Sequence, residues 1–174
     1  GCPITYAKEH GGAGHIDRNL TAKNYTLGII HDREWIRGRL KYVYQKPGQK
    51  RPIESCDIIV TLPQSESRDE ENVKAFMLAA YDSLARQYGT RNNIIGAWVH
   101  MDEAQPHMHF AFLPISPRKS KQKPEYTEKL AVHDYWPRKN SLQLMNKQLQ
   151  KDIDAALGRH VDGINNGITK EQGG

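Results

Sequence analysis

Residues 98 to 110 read WVHMDEAQPHMHF and hold three of the chain's eight histidines together with two carboxylates. Imidazole is the side chain best suited to bind a transition metal or move a proton near neutral pH. One histidine alone is a satisfied surface residue. Three that converge bring nitrogens needing partners and repel one another if protonated, so they make a poor structural choice and a good metal site. The candidate ligands are His100, His107 and His109, and three protein ligands leave coordination positions open, as in catalytic rather than structural sites. Glu103 is close enough to complete the shell, to bind through water, or to take a proton. Asp102 reads as an ordinary turn residue, and Pro106 rigidly sets up the entry into His107.

Strand periodicity is what must bring these rings together. In the second half of the motif Met108, Phe110 and Phe112 alternate with His107, His109 and Ala111. Before it, Ile95, Ala97 and Val99 alternate with Ile94, Gly96, Trp98 and His100. Side chains alternate faces along a strand. Only registers that send both apolar sets to one face bury them together, and every such register gathers the three histidines on the other. With His100 across from His107, Gly96 falls across from Ala111, and small residues there leave room beside the imidazoles.

The remaining elements follow from pattern and punctuation. CDIIVTLP (56 to 63) is a β-branched run ended by proline, hence a buried strand. The stretch 67 to 88 is a helix with Ser67 and Glu70 as a capping box and Gly89 closing it; Val73, Phe76, Met77, Ala80 and Leu84 form its core stripe. Residues 94 to 100 and 107 to 114 are strands, and 115 to 131 a polar loop. A last helix covers about 138 to 158, with Leu142, Met145, Leu149, Ile153 and Ala156 on one side and Gly158 at its end. Residues 33 to 46 are ambiguous, with helix favoured for the first part. The fold class is α+β: a central antiparallel sheet with helices packed on it. The 174 residues form a single domain, with 162–174 a flexible end or linker to a further region.

Bulk properties narrow the partner. Mean hydropathy is −0.76, no apolar run could span a bilayer and no leader segment is evident, so a cytoplasmic protein without membrane contact is expected. Cys2 and Cys56 form no disulfide framework. Net charge is +5, a mild pointer to a polyanion. Seven cations (Arg33, Arg37, Arg39, Lys41, Lys46, Lys50 and Arg51) surround one acid, Glu34, and are interleaved with Trp35, Tyr42 and Tyr44. Arg118, Lys119, Lys121 and Lys123 form a second cluster. These are either solvated faces or a groove where cations meet phosphates and rings stack on bases.

HMDEAQPHMHF resembles the H-x-D-E-x-x-P-H-x-H signature of the Mob/Pre (MOBV) plasmid mobilisation and recombination relaxases, within the HUH endonucleases. RPIESCDIIVTLP is similar to the family's arginine-containing segment, and the helices before and after the motif sit where the family has them. The resemblance implies an HUH sandwich and one divalent metal, Mn2+ or Mg2+. It implies nicking of one strand of single-stranded or supercoiled plasmid DNA at a transfer origin, through a covalent 5′-phosphoryl intermediate that can be rejoined. GGAGHIDRNL looks like the stretch ending in H-x-[DE]-R, which implies His15 as nucleophile, oriented by Asp17 and Arg18. His10, His31, Tyr6 and Tyr25 are the alternatives. Arg51 falls near a family arginine that contacts DNA; Lys50, Arg18, Arg118 and Lys119 join it as candidate contacts, with Trp98 and Lys129 also plausible. Competing readings are an HUH rolling-circle replication initiator, a non-catalytic single-strand binder, and a zinc hydrolase, the last disfavoured because H-E-x-x-H is absent.

Overall fold

The computed structural model describes residues 19–90 and 92–164. A four-stranded antiparallel sheet runs in the order β1 (Tyr25–Leu27), β3 (Ile94–His100), β4 (His107–Phe112), β2 (Cys56–Thr61). Helix α2 (Glu70–Tyr88) and helix α3 (Ser141–Leu157) pack together on one face. The main core lies between them: Ala97, Val99, Met108, Phe110 and Phe112 from the sheet meet Val73, Phe76, Met77, Ala80 and Leu84 from α2, and Leu149 and Ile153 from α3. A short helix, α1 (Arg33–Leu40), covers part of the opposite face, where Leu40, Val43, Ile95, Leu113 and Ile115 make a second, smaller core. Among the described residues no helix is long and apolar enough to cross a membrane.

The register of the central pair is the one that the apolar alternation demands: His100 faces His107, Trp98 faces His109, and Gly96 faces Ala111. One expectation fails at its start. A bulge between Ile94 and Gly96 inserts a residue and reverses the strand's parity. Ile95 therefore joins the second core under α1, and Ile94 packs towards the main one. Nor does Gly96 leave open room: a Cβ there would lie 2.7 Å from Ile30 Cδ1 and 2.9 Å from Trp98 Cη2. The indole lies where a side chain at 96 would stand.

Other corrections are local. The capping box does not form; α2 starts at Glu70, and the Ser67 hydroxyl accepts from the Asp69 N–H instead. Glu70 and Glu71 complement the positive end of the helix. Glu66 is held by Arg159 and Asn72. Residues 115 to 131 are not simply a loop, since β5 (Ile115–Pro117) pairs with β6 (Glu128–Leu130). In α3 the stripe centres on Leu149 and Ile153, while Leu142 is exposed. The helix stops at Gly158 with φ of 67°, a left-handed conformation that suits glycine. Val161 is buried, and Ile164 packs against the main core.

Candidate metal centre

The hairpin joining β3 to β4 is braced before any chemistry is considered. Arg68 donates to the Ala104 carbonyl (2.6 Å) and to Gln105 Oε1 (2.5 Å), and Gln105 Nε2 donates to the Leu62 carbonyl (2.5 Å). Thr21 Oγ1 donates to Asp102 Oδ2 (2.8 Å), and the Met101 N–H donates to Asn24 Oδ1 (2.6 Å). Asp102 is thus more than the ordinary turn residue that the sequence suggests. It is fully buried and ties the segment after residue 18 to the hairpin.

On this frame the three imidazoles converge. Their ring centroids lie 5.1 Å (His100–His107), 5.3 Å (His100–His109) and 5.2 Å (His107–His109) apart. The first two rings are nearly parallel, as a directly facing cross-strand pair allows. His100, Glu103 and His107 each present a ligand atom, all within 4.8 Å of one another. Glu103 Oε2 stands 3.8 Å from His107 Nε2.

The surroundings decide which nitrogen each ring can offer. His109 Nδ1 is 2.8 Å from Asp57 Oδ2, which leaves Nε2 available. His107 Nδ1 lies 3.1 Å from the Gln105 carbonyl, which likewise leaves Nε2. A carboxylate or carbonyl on the far nitrogen fixes tautomer and ring orientation in metal-binding histidines. His100 is the buried member, 1% exposed, and among the described residues neither of its nitrogens has a hydrogen-bond partner. Burial, and then the neighbouring His107 and His109, push its pKa down to about 4, so the ring is neutral at pH 7. A buried imidazole with both nitrogens unsatisfied costs roughly 1–3 kcal/mol, a cost a bound cation removes. Neutral imidazoles with one carboxylate are a donor set that a divalent transition ion accepts. The residues fit a metal.

Asp57 is the member that sequence reasoning missed. Its signal was present: β2 alternates Asp57, Ile59 and Thr61 with the buried Ile58 and Val60, and it pairs with β4 so that Ile59 faces His109. That alternation puts Asp57 on the histidine face.

The other candidates that are described fall apart from this cluster. His15, Arg18, Asp17, His10 and Tyr6 lie outside the described residues. His31 stacks on Trp35, with centroids 3.8 Å apart. Tyr25 packs on the helix side against the main core; its buried hydroxyl has no partner among the described residues, and burial raises its pKa to about 12, neither of which suits a nucleophile at the histidine face. Arg51 lines a separate hollow with Tyr44, Lys46 and Lys129. Lys50 and Lys119 are exposed. The Arg118 guanidinium donates to the carbonyls of Gln122, Lys123 and Tyr126 and lies 4.1 Å over the Tyr44 ring, so it holds its own loop together.

Residues 8–162 match the family described as plasmid recombination enzyme, Mob/Pre. The chain belongs to that family. This Mob/Pre chain is 39% identical over 108 residues to a plasmid recombination enzyme type 3 of Staphylococcus aureus, an alignment covering 58% of the chain and 26% of that protein. It is 28% identical over 157 residues to a plasmid recombination enzyme of a Bacillus species, covering 84% of the chain and 37% of that protein. The chain therefore spans well under half the length of the curated relatives it matches. Its fold is that of the MobM relaxase domain (MOBV; Mob_Pre), solved with manganese and bound to plasmid pMV158 oriT DNA of 22 nucleotides. The two share 22% identity and a TM-score of 0.64, over 94% of this chain and 90% of that one.

Proposed function

We propose that the chain is the strand-transfer domain of a plasmid relaxase, which cuts one DNA strand at a transfer origin and can rejoin it. The observation that carries this reading is the convergence of the His100, His107 and His109 rings on one face of the sheet, with ligand atoms of His100, Glu103 and His107 within 4.8 Å of one another. His100, His107, His109 and Glu103 would hold a divalent cation, manganese or magnesium, which would supply Lewis-acid polarisation of the scissile phosphate. Imidazole-rich donors favour manganese of the two, since magnesium prefers oxygen ligands.

The chain's own residues do the rest. A lone pair on the His15 imidazole attacks the scissile phosphorus, the P–N bond forms, and the P–O3′ bond breaks. The departing 3′-oxygen takes up the proton that the phosphorylated imidazole sheds from its other nitrogen, a relay assigned to the Glu103 carboxylate beside His107. The product is a 5′-phosphoryl-histidine with a free 3′-hydroxyl, and the reverse attack rejoins the strand. Arg18 steadies the phosphate, while Arg51, Lys50, Arg118 and Lys119 are the remaining candidate backbone contacts. Support for His15 comes from the latch three residues beyond Arg18, where Thr21 and Asn24 bond to Asp102 and Met101 of the metal hairpin. The natural partner is single-stranded or supercoiled plasmid DNA in the cytoplasm. Mass spectrometry of the nucleotide-linked peptide, after reaction with an origin oligonucleotide and manganese, tests the reading: the adduct is expected on His15, and His15→Ala abolishes it. An undiminished adduct in that variant removes His15 from the mechanism, and an intact strand with wild-type protein removes the relaxase.

A further inference from the structure

Beside the histidines, on the same face of the sheet, lies a hollow of about 700 Å3 whose lining includes Ile30, His31, Ile36, Asp57, Trp98 and Ala111. Trp98 faces His109 directly across the β3–β4 ladder, so the two backbones are about 5 Å apart. The indole is half-buried against the second core, and its N–H makes no hydrogen bond to any described residue. It lies over Gly96: a Cβ at that position would meet Cη2 at 2.9 Å and Cζ2 at 3.1 Å. With no side chain at 96, a flat ring can lie along the strand with the rest of its surface lining the hollow.

The charges around the hollow discriminate between occupants. Its walls carry three acids, Asp32, Glu34 and Asp57, against one cation, Arg33, so a phosphate inside is disfavoured. Outside the hollow, Arg37 on α1 and Lys41 just past its end are exposed and, like Arg33 at the rim, form no ion pair with a described residue. An uncharged, flat group inside, on a backbone whose phosphates meet those cations, matches both features. The hollow also borders the histidine cluster, because Asp57 lines it and bonds to His109.

We infer that Trp98, laid over Gly96, is the stacking platform for one unpaired base of the cut strand, that of the nucleotide next to the phosphate held at the histidines. The inference rests on the relaxase reading for which strand is bound, but not for the stacking itself. Stacking a base on an aromatic ring contributes enough that its loss weakens binding roughly 5- to 150-fold.

Two measurements test it. The first is anisotropy with a short labelled oligo(dT) strand, which requires no cleavage. Trp98→Ala is expected to weaken binding by that factor, while Trp98→Phe stays within about threefold because a ring is kept. The second uses a strand that the wild-type protein nicks, with abasic sites placed one at a time around the nick. Wild type is expected to lose affinity sharply at one flanking position, and Trp98→Ala to be insensitive at that position alone. Equal oligo(dT) binding by wild type and Trp98→Ala, or matching abasic losses at every position, overturns the platform. If Trp98→Ala does not fold, Gly96→Ala, which displaces the indole, takes its place in both assays. Loss of oligo(dT) binding in a protein that nicks no origin strand would retain the platform and reject the relaxase; intact nicking with unchanged binding would do the reverse.

Discussion

Replacing Asp57 tests whether the histidine cluster is organised as a metal site or merely crowded. Asp57 Oδ2 stands 2.8 Å from His109 Nδ1, and among the described residues this is the carboxylate's one hydrogen bond. Asp57→Ala removes that bond and lets the His109 ring change tautomer and turn. Loss of such a partner behind a ligating histidine costs 10- to 100-fold in metal affinity, about 1.4 to 2.7 kcal/mol. The Asp57 side chain is 47% exposed, so solvent screens its charge and the lower end applies: roughly tenfold weaker manganese binding. Asp57→Asn keeps an acceptor and should lose only a few-fold. Isothermal titration with manganese measures both. Metal-free thermal unfolding should barely change, because a half-exposed carboxylate adds little to folding. Manganese affinity of Asp57→Ala within twofold of wild type would refute the reasoning. A lowered unfolding midpoint without metal would recast Asp57 as structural.

Two further outcomes concern pH and stability. His100 in the metal-free protein has its pKa lowered from 6.5 to about 4, chiefly by burial. A base depressed in the folded state is protonated first in the unfolded chain. Its contribution is therefore complete above pH 6.5 and lost as pH falls from 6.5 towards 4. Urea unfolding at pH 7 and pH 5 should show a loss on the order of 1–2 kcal/mol in wild type that a His100→Leu variant lacks; equal losses would contradict the assignment. Glu66, its side chain 6% exposed, is held at a pKa of about 2, first by its hydrogen bond from Arg159. Arg159→Ala should lower the unfolding temperature at pH 7. The deficit should shrink as pH falls from 4.5 through 2, below which Glu66 is neutral in either protein; thermal scans across that range check it.

The convergence of the histidines is legible in the sequence because it depends on parity alone. Once Met108, Phe110 and Phe112 claim the core, His107 and His109 have only the other face, and His100 follows through Ala97 and Val99. Ile95 shows where parity runs out. A bulge costs one residue and leaves the apolar alternation looking intact, so the strand's start is misread. Asp57 and Asp102 escape for a different reason: each takes its role from a residue 52 or 81 positions away, His109 and Thr21, and nothing local marks such a pairing. The β5–β6 hairpin is hidden because its strands are three residues each, too short for a periodic signal. The segment expected to carry the nucleophile, His15 to Arg18, lies outside the described residues, and its role stands as proposed above.

The bulge at Ile95 has a mechanical meaning. Seven residues of β3 serve two separate interiors, the upstream end anchoring the cover formed by α1 and the downstream end aiming His100. Repacking beneath that cover is expected to reach the His100 end through the strand they share. Substitutions that tune how the helix seats on the sheet should therefore alter the angle between imidazoles without touching a single ring nitrogen.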